Sequence, residues 1–203
     1  MTKAVWGAGK RLAALLALLL ASVSCGDMAR EGQSPAYLII TTLEGASGAE
    51  PETYGGTISS DVITVVDDVP TIFNDLGRVQ FRLALKDAGP SSSPTSPTPN
   101  NFITVDRYRV TYIRTDGRNT PGVDVPHPID SAFTLTVGGD ATGTFTLVRN
   151  QAKQEAPLVS LSSSGILIST IAEVTFYGHD QTGRSVSVSG RIGINFGNFG
   201  DPD

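Results

Sequence analysis

His127 stands between Asp124 and Asp130, three residues from each, in a polar stretch (115–131) that also carries Asp116 and Arg118. An imidazole flanked by carboxylates is the raw material of a metal site or of a general base. Pro126 and Pro128 bracket the histidine, however, and hold its backbone extended, which separates these side chains instead of converging them. His179-Asp180 is the second His/Asp pair, and Asp180 is placed to hydrogen-bond its own turn as an Asx residue. Asp67-Asp68 offers two carboxylates at a strand end, as a Ca²⁺ ion would need, but without the alternating Asp/Asn/Gly pattern of a calcium loop.

Nucleophilic catalysis has little to work with. The chain has two histidines, so any triad must use His127 or His179, and it has no Gly-x-Ser-x-Gly elbow; Ser162-Ser-Ser-Gly165 reads as an ordinary loop. No Gly-x-x-x-x-Gly-Lys-Ser/Thr run is present to cradle a nucleotide. The expectation is a non-catalytic protein with no cofactor and no bound metal.

The one cysteine, Cys25, excludes an internal disulfide and a Cys-based zinc site. Its context is an address. Lys3, Lys10 and Arg11 precede the apolar run Leu12–Ala21, and the small residues Ser22-Val-Ser24 lead to Cys25. Ten apolar residues rise only about 15 Å as a helix, roughly half a bilayer core, so a cleaved signal is favoured over a permanent span. Val23, Ser24, Cys25 and Gly26 resemble a bacterial lipoprotein signal, in which the cysteine becomes the acylated first residue. That resemblance covers residues 1–26 and implies acyl chains on Cys25 as the membrane anchor, with Gly26 implying sorting to the outer membrane of the cell envelope. Ser22 departs from the aliphatic residue usual in that pattern, and Ser22 with Ser24 also satisfies ordinary signal peptidase, which would leave Cys25 unmodified. The organisation expected is a signal peptide over 1–24, a tether over 25–35 and one folded domain over 36–200.

Removing Lys3, Lys10 and Arg11 with the signal leaves twelve basic residues against twenty acidic ones, a net charge near −8 where the whole chain is −5. Such a surface repels phosphate backbones, so nucleic acid is not an expected partner.

The body reads as alternating strands. Val186, Val188, Ile192, Ile194 and Phe196 share one face over eleven residues, and Val79, Phe81, Leu83 and Leu85 do the same. Ile103 and Val105 are out of phase with Tyr108, Val110 and Tyr112, which predicts a β-bulge at Asp106-Arg107. Phe133–Val137 and Phe145–Leu147 are expected to pair as a hairpin across Gly138–Gly143, and 37–43, 57–66 and 172–178 complete the set. A turn or two of helix is expected around 69–75 or 150–155.

The fold class expected is therefore all-β, a β-sandwich of about eight to nine antiparallel strands, with a closed barrel as the alternative. Ala172–Gly183 with the strand after it, and Tyr108–Gly117, resemble strands of bacterial immunoglobulin-like and fibronectin type III-like domains. That resemblance implies a single immunoglobulin-like sandwich without the Cys and Trp core of antibody domains, since Trp6 lies in the signal.

Residues 87–101 carry Pro90, Pro94, Pro97 and Pro99 and cannot join a sheet. With Val79–Lys86 as a second strand and Arg107–Arg114 as a third, this loop, Gly138–Gly143 and His179–Gly183 are expected at one pole, where an envelope protein partner would engage loops or an edge strand. The alternative function is a secreted or surface carbohydrate-binding or carbohydrate-active protein. Its sugar platform would have to come from Tyr37, Tyr54, Tyr108, Tyr112, Tyr177 and the eight Phe, with Tyr54 and Tyr108 exposed and coplanar.

Overall fold

Alternating burial recurs along the strands and gives them a face turned to the core. The structure, a computed structural model, describes residues 33–200. Cys25 and the signal over 1–24 lie outside the described residues, as does the tether up to residue 32.

Ten strands follow in order: β1 (Ala36–Ala46), β2 (Thr57–Asp61), β3 (Thr64–Val66), β4 (Val69–Thr71), β5 (Asp75–Leu85), β6 (Ile103–Ile113), β7 (Ile129–Val137), β8 (Asp140–Val148), β9 (Ile168–Asp180) and β10 (Ser185–Gly197). They form a three-stranded sheet ordered β1-β5-β8, a five-stranded sheet ordered β2-β10-β9-β6-β7, and the small β3-β4 ribbon. Neither large sheet closes on itself, so the barrel alternative is not adopted. Among the described residues, helix is confined to one turn, α1 (Asn150–Lys153), and two 3-10 turns at Pro99–Asn101 and Leu158–Ser163.

One core serves both large sheets. Phe81 of β5 meets Phe176 of β9 edge-on at 5.0 Å, and Phe145 of β8 meets Tyr108 of β6 and Phe176 at 5.1 and 5.3 Å. These separations and tilts suit the ring quadrupoles, so the cluster gains beyond its area burial. Tyr108 and Tyr112 donate their hydroxyls to the Thr146 and Leu147 carbonyls at 3.0 and 2.8 Å, tying β6 to β8 across the core. Two inward-facing glycines make room: a Cβ on Gly77 would overlap the Phe145 ring, and one on Gly190 would press on Leu43.

The bulge expected at Asp106-Arg107 is present. Val105 pairs Gly178 and Arg107 pairs Tyr177, leaving Asp106 as the extra residue that switches β6 from one phase to the other.

Four expectations are corrected. The strand expected over 57–66 is two strands in different sheets. β2 runs parallel to β10, from Thr57 beside Gly193 to Asp61 beside Gly197, so the pairing is not wholly antiparallel. Of the two places where a helical turn is expected, 150–155 holds α1, whereas 69–71 is β4, because Asp67 and Asp68 both take positive φ (50° and 62°) and form a two-residue turn that folds Val66 onto Val69. The hairpin expected across Gly138–Gly143 does not form. β7 pairs β6 while β8 pairs β5, so Gly138-Gly139 carries the chain from one sheet to the other. The hydrophobic alternation of the two strands is the same for either arrangement; Arg82 opposite Asp140, joined at 2.7 Å, belongs to the partner that β8 takes.

Candidate functional site

Strand registers place the polar loops. Ile103, the first residue of β6, lies opposite both Val137 and Asp180, so the Pro-rich loop, the β7–β8 crossover and the β9–β10 turn meet at one end of the domain. Leu83 N donates to Gly139 O at 2.9 Å, and Gln181 Nε2 donates to Phe102 O and Thr104 Oγ1 at 3.4 and 3.2 Å. The expected loop cluster is therefore assembled. β1 starts at this same end, since Ala36 pairs Leu85 and Pro35 O accepts from Lys86 N at 2.9 Å.

Apart from Gln181, the polar side chains of the cluster that follow bond mainly within their own loops. Asp180 Oδ1 accepts from Thr182 N, Thr182 Oγ1 and Arg184 N at 2.9, 2.6 and 3.0 Å, which is the Asx role expected of it; Gly183 completes the turn at φ 83°. His179 is half exposed, its Nε2 3.9 Å from Asp106 on the bulge. In the Pro-rich loop, Asp87 caps Gly89 N at 2.9 Å and Asn101 Oδ1 accepts from Thr98 N and Oγ1.

The other candidate ligands do not converge. Asp124 accepts from Thr120 N at 3.2 Å within its loop, whereas Asp130 faces outward on β7 and pairs Arg107 and Arg109 at 3.4 and 3.2 Å. His127 is exposed beside Gly122. Asp116 is gripped by Arg114 and Arg118 at 2.5 and 3.1 Å. Hydrogen bonds from the Arg114 side chain and the Arg118 backbone hold its carboxyl down to about 2. Asp67 and Asp68 make the β3–β4 turn. Among the described residues, no three His, Cys, Asp or Glu side chains gather as a metal would require.

Nor do the tyrosines form the expected platform. Tyr108 and Tyr112 are buried in the core, so Tyr54 and Tyr108 are not an exposed pair. Arg78, held by Glu44 at 2.7 Å, covers one face of Tyr54 at 4.0 Å; Arg107 covers Tyr177 at 4.2 Å and Lys86 lies 5.1 Å from Tyr37. Beside Tyr54, an open cleft of about 420 Å³ runs along β2 between Glu50, Asp61 and Phe199.

No protein-family model matches the chain, and no curated protein matches it either.

The most unusual chemistry lies at the opposite end, at residues that were not among the candidates. Asp75, the first residue of β5, is completely buried, and so is Lys153 of α1; Nζ donates to Oδ1 at 2.7 Å. Ser60 Oγ donates to Oδ2 at 2.5 Å and Gly48 N to Oδ1 at 2.9 Å, so each carboxylate oxygen has a donor. Burial pushes the Asp75 carboxyl above its ordinary 3.8, and Lys153 draws it part of the way back. The strand pattern contains the missed signal: stepping by twos back from Phe81 through Val79 and Gly77 reaches Asp75, on the core face. Apart from Lys86, Lys153 is the only lysine after the signal, but nothing local announces its burial.

Proposed function

We propose that this is a lipid-anchored cell-envelope protein whose domain is an immunoglobulin-like β-sandwich acting as a non-catalytic binding or structural module. The observation that carries this reading is the order of basic residues, the Leu12–Ala21 apolar run, Ser22-Val-Ser24 and Cys25 at the amino terminus. Two or three acyl chains on one cysteine, at about 0.8 kcal/mol per buried CH₂, would hold the domain to a bilayer nearly permanently.

Support for the immunoglobulin-like type comes from strand order. β1-β5-β8 corresponds to A-B-E, β10-β9-β6 to G-F-C, and β7 takes the added place beside C. The strands are joined by the same sheet-crossing connections, with β5 to β6 and β7 to β8 each passing between sheets.

β1 begins at the loop pole, so the chain enters the domain there, and a tether from Cys25 to Pro35 would span no more than about 40 Å when extended.

Intact mass of protein extracted from membranes tests the anchor. The expected result is a mature amino terminus at Cys25 carrying acyl mass, and release of a Cys25→Ala variant from the membrane fraction. An unmodified amino terminus, or a Cys25→Ala variant that stays bound, overturns it.

A further inference from the structure

We propose that Lys153 Nζ and Asp75 Cγ condense within the folded domain to an intramolecular amide, a covalent staple between α1 and the start of β5.

The two partners are already in contact. Nζ sits 2.7 Å from Oδ1, and neither side chain has more than a hundredth of its surface exposed. In a dry site an ammonium and a carboxylate lose their hydration, which favours moving one proton across the contact to give a neutral amine and a neutral acid. Those neutral forms are the reactive ones: the amine has a free electron pair and the acid has a hydroxyl that can leave.

The surroundings fit the step. Ser60 Oγ–H, 2.5 Å from Oδ2, is placed to stabilise negative charge on that oxygen as the tetrahedral centre forms. Oδ1, which takes the first proton from Nζ across the 2.7 Å contact and also accepts from Gly48 N, is the oxygen that departs. The Nζ pair forms the N–Cγ bond, the Cγ–Oδ1 bond breaks, and the second amine proton passes to the departing hydroxyl, so that one water leaves. No oxidant, reductant or activated co-reactant is consumed. The flanking elements hold the geometry: Asp75 is fixed in β5 opposite Val148, and the α1 backbone is tied to the neighbouring Asn74 through Asn150 N donating to Oδ1 at 2.7 Å.

The staple would join residues 78 apart in a chain whose single cysteine can make no internal disulfide. It is independent of the amino-terminal reading, since Cys25 takes no part in it.

Peptide mapping of the purified full-length protein decides the matter. After denaturation and trypsin digestion, an amide blocks cleavage at Lys153 and joins residues 31–78 to residues 150–184. The expected product is that branched species, lighter by one water than its two arms together, and absent from a Lys153→Arg variant. Recovery of unbranched 31–78 with full cleavage after Lys153 in the wild-type protein overturns the proposal, whether or not the variant folds. A finding that Cys25 lacks acyl chains while the branch is present would overturn the anchor alone.

Discussion

The two poles of the domain satisfy their polar groups by opposite means. At the loop pole, Asp180 bonds residues two and four places along the chain, Asp87 and Asn101 bond within three, and the Pro-rich loop stands fully exposed. At the far pole, Asp75 draws its partners from Gly48, Ser60 and Lys153, none closer than fifteen residues in sequence and all converging in the interior. Exposed apolar side chains are also unevenly divided. Val66, Val69, Val123, Val159, Ile166 and Leu167 project from the far pole, leaving only Tyr37 and Ile39 of the large exposed hydrophobics elsewhere among the described residues. Short-range bonds make a loop self-sufficient and tolerant of change. Long-range buried bonds make every member depend on the others, because a polar group left alone there is cut off from water.

The sharpest way to break this contrast is Lys153→Met. Removing Lys153 leaves the Asp75 carboxyl buried without its partner, and the loss should be about 3–5 kcal/mol by denaturant titration, whereas Asp75→Leu combined with Lys153→Met should recover only the part due to the stranded carboxyl, since the proposed staple is absent from both variants. A loss below that of a typical surface substitution would show that water reaches the site. The matching change at the loop pole is Asp180→Ala, which frees Thr182 N and Arg184 N near the surface and should cost about 1–3 kcal/mol.

Smaller effects sharpen the comparison. Replacing Pro90–Pro99 by two glycines should leave thermal stability within about 1 kcal/mol of wild type, because loop closure depends only weakly on length. Unfolding of that variant would mean that the loop is structural. Smallest of all are the exposed acid–arginine pairs, one at each pole. Hydrogen bonds from Arg82 lower Asp140, as those from Arg114 lower Asp116 to about 2. A lowered folded value means stability that is present above the ordinary 3.8 and lost as pH falls through the folded value. Carboxyl titration followed by NMR should place the Asp116 midpoint near 2, and an ordinary midpoint would show that the arginine fork does not persist in solution.

Legibility followed the same division as the poles. The Asx turn at Asp180, the bulge at Asp106 and the inward faces of β5, β6, β9 and β10 all rest on neighbours within a few residues, and all were readable. Asp67-Asp68 was also readable in principle, since adjacent Asp residues tolerate the positive φ of a tight hairpin turn; they were weighed only as strand-end carboxylates, and the turn was missed. Pairing was harder. The strand ending at Val137 and the strand starting at Asp140 have the spacing of a hairpin, and only competition from β5 for β8 shows that they separate.

The sequence by itself determined that the chain is built of strands, where most of them run, which faces turn inward and where the polar loops lie. Period-two alternation and turn chemistry are local properties, written in adjacent residues. Only the tertiary structure decided that β2 lies parallel to β10, that β7 and β8 part into different sheets, and that Asp75 meets Lys153. Those outcomes depend on which of several similar apolar faces bury best together, and on a lysine and an aspartate 78 residues apart being enclosed by the same core. Burial of that kind is a property of the whole assembled interior, so no window of the chain contains it.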